Sequence, residues 1–181
     1  QAGRLFVDDT TTQTTDDVYL QCDRLAQRQG RLDLVIADHL RLFADRADNE
    51  NHRLGHISRA FNRLARDLRT RCLCAAQLSR AVEGQPDKRP DLKDLRDSGE
   101  IEENADNVVG LYRDSYYSED PHDKTAEFLV RKARDGERNG RGRMVFLGDV
   151  MSFEPLQPTG EKANGKSQAA HPVQPKPVPA F

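Results

Sequence analysis

Few residues in this 181-residue chain have the type and placement to do chemistry. Asp38 closes the run RLDLVIAD (31–38), in which Leu32, Leu34, Val35, Ile36 and Ala37 read as a buried parallel strand that ends on a single carboxylate. Open α/β sheets bind ligands at that carboxyl edge. An acid there can hold the water shell of a Mg2+ carried on nucleotide phosphates, the second half of a P-loop ATPase site. A strand followed by a helix cap has the same pattern. Gln77 stands just past another apolar run, Cys72–Ala76, either as an amide that could sense a terminal phosphate or as an ordinary loop residue. Lys132 and Arg134, two apart in an extended stretch, point to one side while Ala133 faces away. A basic pair of this kind also guards an exposed strand edge against aggregation. His52 and His56 are four apart at a helix start, with no third metal ligand evident.

The elements that must position these groups follow from the pattern. Arg4–Val7 reads as a short strand, and the polar run from Asp8 to Asp17 as a loop whose Thr and Asp side chains cap a helix reaching about Gln29. Val18, Leu20, Cys22 and Leu25 are available for the inner side of that helix, and Gly30 ends it. Ala44–His52 reads as a charged, mobile surface loop. From Arg53 onward, Leu54, Ile57, Phe61, Leu64 and Leu68 make an amphipathic seam, with Arg53, Arg59, Arg63 and Arg66 on a solvated face. Glu83–Ser98, with Pro86 and Pro90, predicts a long loop. Strands follow at Asn107–Tyr112, Ala126–Arg131 and Arg143–Leu147, the last two forming an antiparallel hairpin at the sheet edge across the Gly136 and Gly140 turn. Residues 155–181 hold six of the nine prolines and predict a disordered tail. The ordered unit is then 1–154.

Composition narrows the class. With 28 basic and 30 acidic residues the chain is not a globally basic nucleic-acid binder, so any DNA contact rests on a few placed residues. Cys22, Cys72 and Cys74 are odd in number and form no C-x-x-C pair, which favours a reducing, cytoplasmic compartment. No apolar run approaches the roughly 18 residues of a membrane span, and no signal peptide is visible. The chain starts at Gln1 and enters a strand signal almost at once, so it reads as a piece of a longer protein.

Five ordered stretches carry a family resemblance. They are VDD at 7–9, DHLRL at 38–42, ISRAFNRLARDL at 57–68, the long run AAQLSRAVEGQPDKRPDLKDLRDSGEIEENADNVVGLYRDSYY at 75–117, and AEFLVRKARDG at 126–136. Together, from about Arg4 to Phe153, they resemble the C-terminal motor domain of the replicative DnaB-type hexameric DNA helicases. The resemblance implies an α/β fold: a partial RecA-like P-loop NTPase core, without its P-loop strand, carrying a C-terminal antiparallel edge hairpin. It implies part of an enzyme that uses ATP and Mg2+ to travel on single-stranded DNA and unwind duplex at the replication fork, as a homohexamer with nucleotide sites between subunits. Primase and a helicase loader are implied as partners of the full-length protein, and no membrane.

Residue by residue, Asp38 matches the Walker B aspartate, and Gln77 the glutamine that links the phosphate state to the DNA loops. Lys132 and Arg134, with Ala133 between them, match the basic run that reaches a neighbouring subunit's nucleotide. Arg96, Asp97 and Gly99 match residues on the DNA backbone. The chain departs from the family at His39 and Arg41 (usually an aromatic and Gln), Ala76 (Ser), Asp97 (Glu) and Asp135 (Asn). No G-x-x-x-x-G-K-[ST] occurs in these 181 residues, so the resemblance implies that they do not hydrolyse ATP by themselves. The competing readings are a RecA-like recombination or repair ATPase and a non-enzymatic DNA-binding remnant.

Overall fold

The computed structural model describes residues 4–118, 120, 122–136 and 139–156, apart from the side chains of residues 96–98. The expected Pro-rich tail lies, from residue 157 on, outside the described residues. Helix α1 spans Thr15–Gln29. Thr14 and Asp17 cap it reciprocally, the Thr14 N–H donating to the Asp17 carboxylate at 2.9 Å, and Gly30 ends it at φ 87°. The strand expected at Arg4–Val7 is absent. Leu5 and Val7 are exposed there, and no ladder of hydrogen bonds from a neighbouring strand stabilises the extended propensity.

Strands β1 (Leu34–Ala37) and β2 (Arg71–Cys74) pair in parallel, in register from Leu34↔Arg71 to Ala37↔Cys74. Between them runs α2, Glu50–Asp67, capped by the Asn49 side chain. Its expected seam is the core: Leu54, Ile57, Phe61 and Leu64 are all buried and, with the exception of Leu64, cluster with Ala37, Leu40 and Ile101. Cys72 and Cys74 face this cluster, and burial pushes their thiols up to about 11 and about 12. As thiolate is the reactive form, both are inert packing groups.

Two expectations around α2 are corrected. Arg53 is not on the solvated face; its guanidinium bonds Glu50 and the carbonyls of Arg41 and Phe43. Nor is the 44–52 stretch a free loop, because α2 begins within it and the Asp45 carboxylate accepts from the Thr15 N–H at 2.9 Å and hydroxyl at 2.6 Å. In both places a charged residue enters the interior by satisfying backbone groups that a short connection would otherwise leave unpaired.

Burial of the parallel pair is one-sided. Leu34, Ile36 and Leu73 lie on the face away from α2 and are 49%, 62% and 59% exposed. Apolar surface of this extent is a sticky patch. The 181-residue chain on its own is therefore expected to bind ANS and to melt over a broad range, whereas a cooperative melt without ANS binding would overturn this.

The expected loop 83–98 is in part helical, with 3-10 turns at Arg80–Gly84 and Leu92–Ser98, followed by α3 at Gly99–Asn104. The second sheet is antiparallel, in the order β3 (Asn107–Arg113), β4 (Thr125–Ala133), β5 (Arg141–Leu147), β6 (Ser152–Pro155). A short helix, α4 (Ser115–Ser118), joins β3 to β4. The hairpin expected from the sequence is β4–β5, but strands flank it on both sides, and β6 and α3 had no distinct pattern.

Candidate functional site

Asp38 follows the last residue of β1 and is exposed, at the carboxyl edge of the parallel pair. Backbone bonds fix that edge: the Ala75 N–H donates to the Ala37 carbonyl at 2.9 Å, and the Leu40 N–H to the Ala75 carbonyl at 3.1 Å. The exits of the two strands are thus tied together, bringing Gln77 beside the Asp38 segment. The Gln77 amide nitrogen lies 2.9 Å from His39 Nε2. His39 Nδ1 is buried with no hydrogen-bond partner among the described residues. The Asp38–His39 peptide is cis. An open groove of about 1580 Å³ borders this edge, with Asp8, Ile36, Asp38, His39 and Phe43 among its lining residues.

Lys132 and Arg134 do not join Asp38 and Gln77. Lys132 lies near the end of β4 and Arg134 one residue past it, both turned toward the segment 102–106. The Lys132 ammonium donates to the Glu102 carbonyl at 2.6 Å and the Glu103 carbonyl at 3.2 Å. Arg134 forms an ion pair with Asp106, and its backbone N–H donates to the Asp106 carbonyl at 3.0 Å. Ala133, between them, is buried. Of the residues expected on DNA, Gly99 begins α3. Arg96 and Asp97 lie in the preceding 3-10 turn, and their side chains fall outside the described residues.

A charge cluster built on one buried carboxylate ties the 85–95 stretch to the antiparallel sheet. Glu127 on β4 is 4% exposed and accepts from Arg89 Nε at 2.8 Å, from Arg89 Nη2 at 3.2 Å and from Arg141. The Arg89 hydrogen bonds and the Arg141 guanidinium hold the Glu127 carboxyl down at about 2. Arg89 also stacks over the Tyr112 ring at 4.7 Å, and Arg131 Nε donates to the Pro90 carbonyl at 2.6 Å. Sequence reading assigned no role to His39, Asp106 or Glu127. Only the nearness of His39 to Asp38 and of Asp106 to the candidate DNA loop was a signal; nothing in a period-two strand marks a buried glutamate.

The family model described as DnaB-like helicase C-terminal domain matches residues 1–155. The chain is 36% identical over 157 residues to the replicative DNA helicase DnaB of Geobacillus stearothermophilus, covering 84% of this chain and 34% of that protein. It is 37% identical over 157 residues to the replicative DNA helicase DnaC of Bacillus subtilis, with the same coverage, 84% and 34%. The chain thus spans about a third of the length of these curated relatives. Among solved structures, an isolated ATPase domain superposes with TM-score 0.76 at 33% identity, covering 82% of this chain and 54% of that one. A DnaB-like replicative helicase solved for its interactions with primase superposes with TM-score 0.77 at 32% identity, covering 83% and 36%. The mixed α/β fold is that of RecA-like helicase ATPase domains.

Proposed function

Because the chain belongs to the DnaB-like helicase C-terminal domain family, we propose that it is part of a replicative helicase motor that uses ATP to move on single-stranded DNA and separate the duplex. The observation that carries this reading is the convergence of Asp38 and Gln77 at the carboxyl ends of two adjacent parallel strands. Ligands of open α/β sheets bind at such an edge.

Asp38 suits a Mg2+ ion that keeps its waters, because it is an exposed carboxylate at the carboxyl edge of the parallel pair. Bound there with ATP, the ion would neutralise charge that develops on the phosphates. Asp38 would hold the ion in place beside the phosphates. Gln77, held through His39, exchanges that contact for the terminal phosphate and transmits its presence along residues 78–98. Lys132 and Arg134 act on the nucleotide of a neighbouring subunit in a homohexameric ring, with Ala133 packed between them. Arg96, Asp97 and Gly99 meet the DNA backbone, which positions a strand without reading its bases. Primase and a helicase loader are partners of the full-length protein in this reading, in a cytoplasmic setting.

Asp38→Asn in the full-length protein tests it. Loss of an outer-shell carboxylate is expected to lower Mg2+-dependent ATP hydrolysis about 10- to 100-fold, with single-stranded DNA binding retained. Hydrolysis unchanged from the parent would remove Asp38 from the site.

A further inference from the structure

The two cations assigned to a neighbour's nucleotide are both engaged by one short stretch of their own chain, which starts at the loop assigned to DNA. α3 packs on α2. Ile101 enters the core cluster with Leu54, Ile57 and Phe61, the Ser58 hydroxyl donates to the Glu100 carbonyl at 3.3 Å, and a Cβ on Gly55 would collide with Glu100. The last carbonyls of a helix have no partner within it and need donors from elsewhere. Here the Ile101 carbonyl accepts from the Ala105 N–H, and the Asn104 carbonyl from the Asn62 amide. The Glu102 and Glu103 carbonyls between them take the Lys132 ammonium, a cation at the negative end of the helix. Two residues past α3, Asp106 takes Arg134.

We infer that the segment 99–106 positions Lys132 and Arg134, withholding both cations from the neighbouring nucleotide until DNA on residues 96–99 displaces α3. The inference rests on the roles proposed above for these two cations. The latch is weak where it must open: the Arg134 and Asp106 side chains are 58% and 52% exposed, and solvent-exposed pairs are loosely held. A triphosphate offers a guanidinium fork a more highly charged partner than one carboxylate does. The backbone bond from the Arg134 N–H to the Asp106 carbonyl is independent of the side chains and keeps the strand end in register while they exchange. Linkage makes the effect reciprocal: nucleotide that captures the cations must alter DNA affinity by the same factor that DNA alters nucleotide affinity.

Asp106→Asn and Asp106→Glu in the full-length protein provide the test, read as the ratio of ATPase rates with and without saturating single-stranded DNA. Asp106→Asn opens the latch and is expected to raise the DNA-free rate about 5-fold or more, collapsing the ratio, while Asp106→Glu restores it. A ratio unchanged in Asp106→Asn overturns the inference, as does an equal fall in both rates. Hydrogen exchange of amides 99–105 in the unmutated protein gives an independent reading, faster with DNA bound if α3 is displaced and unchanged if the inference is wrong. Arg134→Ala separates this from the underlying reading. If that variant hydrolyses ATP normally, the proposed role of Arg134 itself fails; if it is inactive while Asp106→Asn keeps the parental ratio, only the positioning role of 99–106 fails.

Discussion

Replacing Arg134 with alanine in the full-length protein is expected to lower ATP hydrolysis by about 1000-fold or more, the range found when an arginine supplied to a phosphoryl-transfer site is removed. The size follows from geometry. A permanently charged planar fork meets two oxygens of the transferring phosphoryl group as charge develops, and neither water nor a lysine reproduces that. Arg134 lies just beyond β4 against residues 102–106, apart from Asp38 and Gln77. It does not belong to the site at its own strand edge. Mixing two impaired proteins makes the trans arrangement visible. An Asp38→Asn subunit has a defective site but an intact Arg134, and an Arg134→Ala subunit has the reverse. If the arginine acts across the interface, mixed rings contain some complete sites and the rate rises above the sum of the two variants measured apart; if it acts within its own subunit, the mixture shows no more than that sum.

The second large effect concerns Glu127. Its carboxyl is held at about 2 against the usual 4.5 by Arg89 first and Arg141 next, and at about 1.4 kcal/mol per unit this is worth roughly 3 kcal/mol. Because the folded value is the lower one, the contribution is fully present above about pH 4.5 and is lost as pH falls from there toward 2. Hydrogen exchange of the β3–β5 amides, corrected for intrinsic rates, should show protection declining across that window. Glu127→Ala leaves two guanidinium groups facing each other without the carboxylate, an expected loss of about 3 kcal/mol or more already at neutral pH. Its pH dependence in that window should flatten. If the variant keeps parental protection, the cluster is a surface ornament; if its acid sensitivity persists, other carboxylates set that sensitivity. The cluster also joins the 85–95 stretch to the strand that bears Lys132, so loosening it should disturb both.

The sequence determined the parts of this protein governed by local repetition and by motif. The three-and-four spacing from Leu54 to Leu64 is the core-facing side of α2, because a helix has only one stripe to bury and here it is unambiguous. The apolar run before Asp38 and the turn between β4 and β5 were equally legible, and five ordered motifs identified the family. The Arg4–Val7 strand was misread because strand propensity is realised only when a neighbour supplies the ladder. A continuous apolar run does not say which of its residues are covered, so only packing decided that Leu34, Ile36 and Leu73 form the exposed side of the parallel pair. Tertiary structure alone decided that Gln77 meets His39, that Lys132 closes the C-terminal end of α3, that Arg134 pairs with Asp106, and that Glu127 is buried between two arginines. These are polar contacts between residues 14 to 38 positions apart. They are set by which orphaned carbonyls and buried charges come to face each other once the apolar elements have packed, and charge placement along a chain has no period from which that could be read.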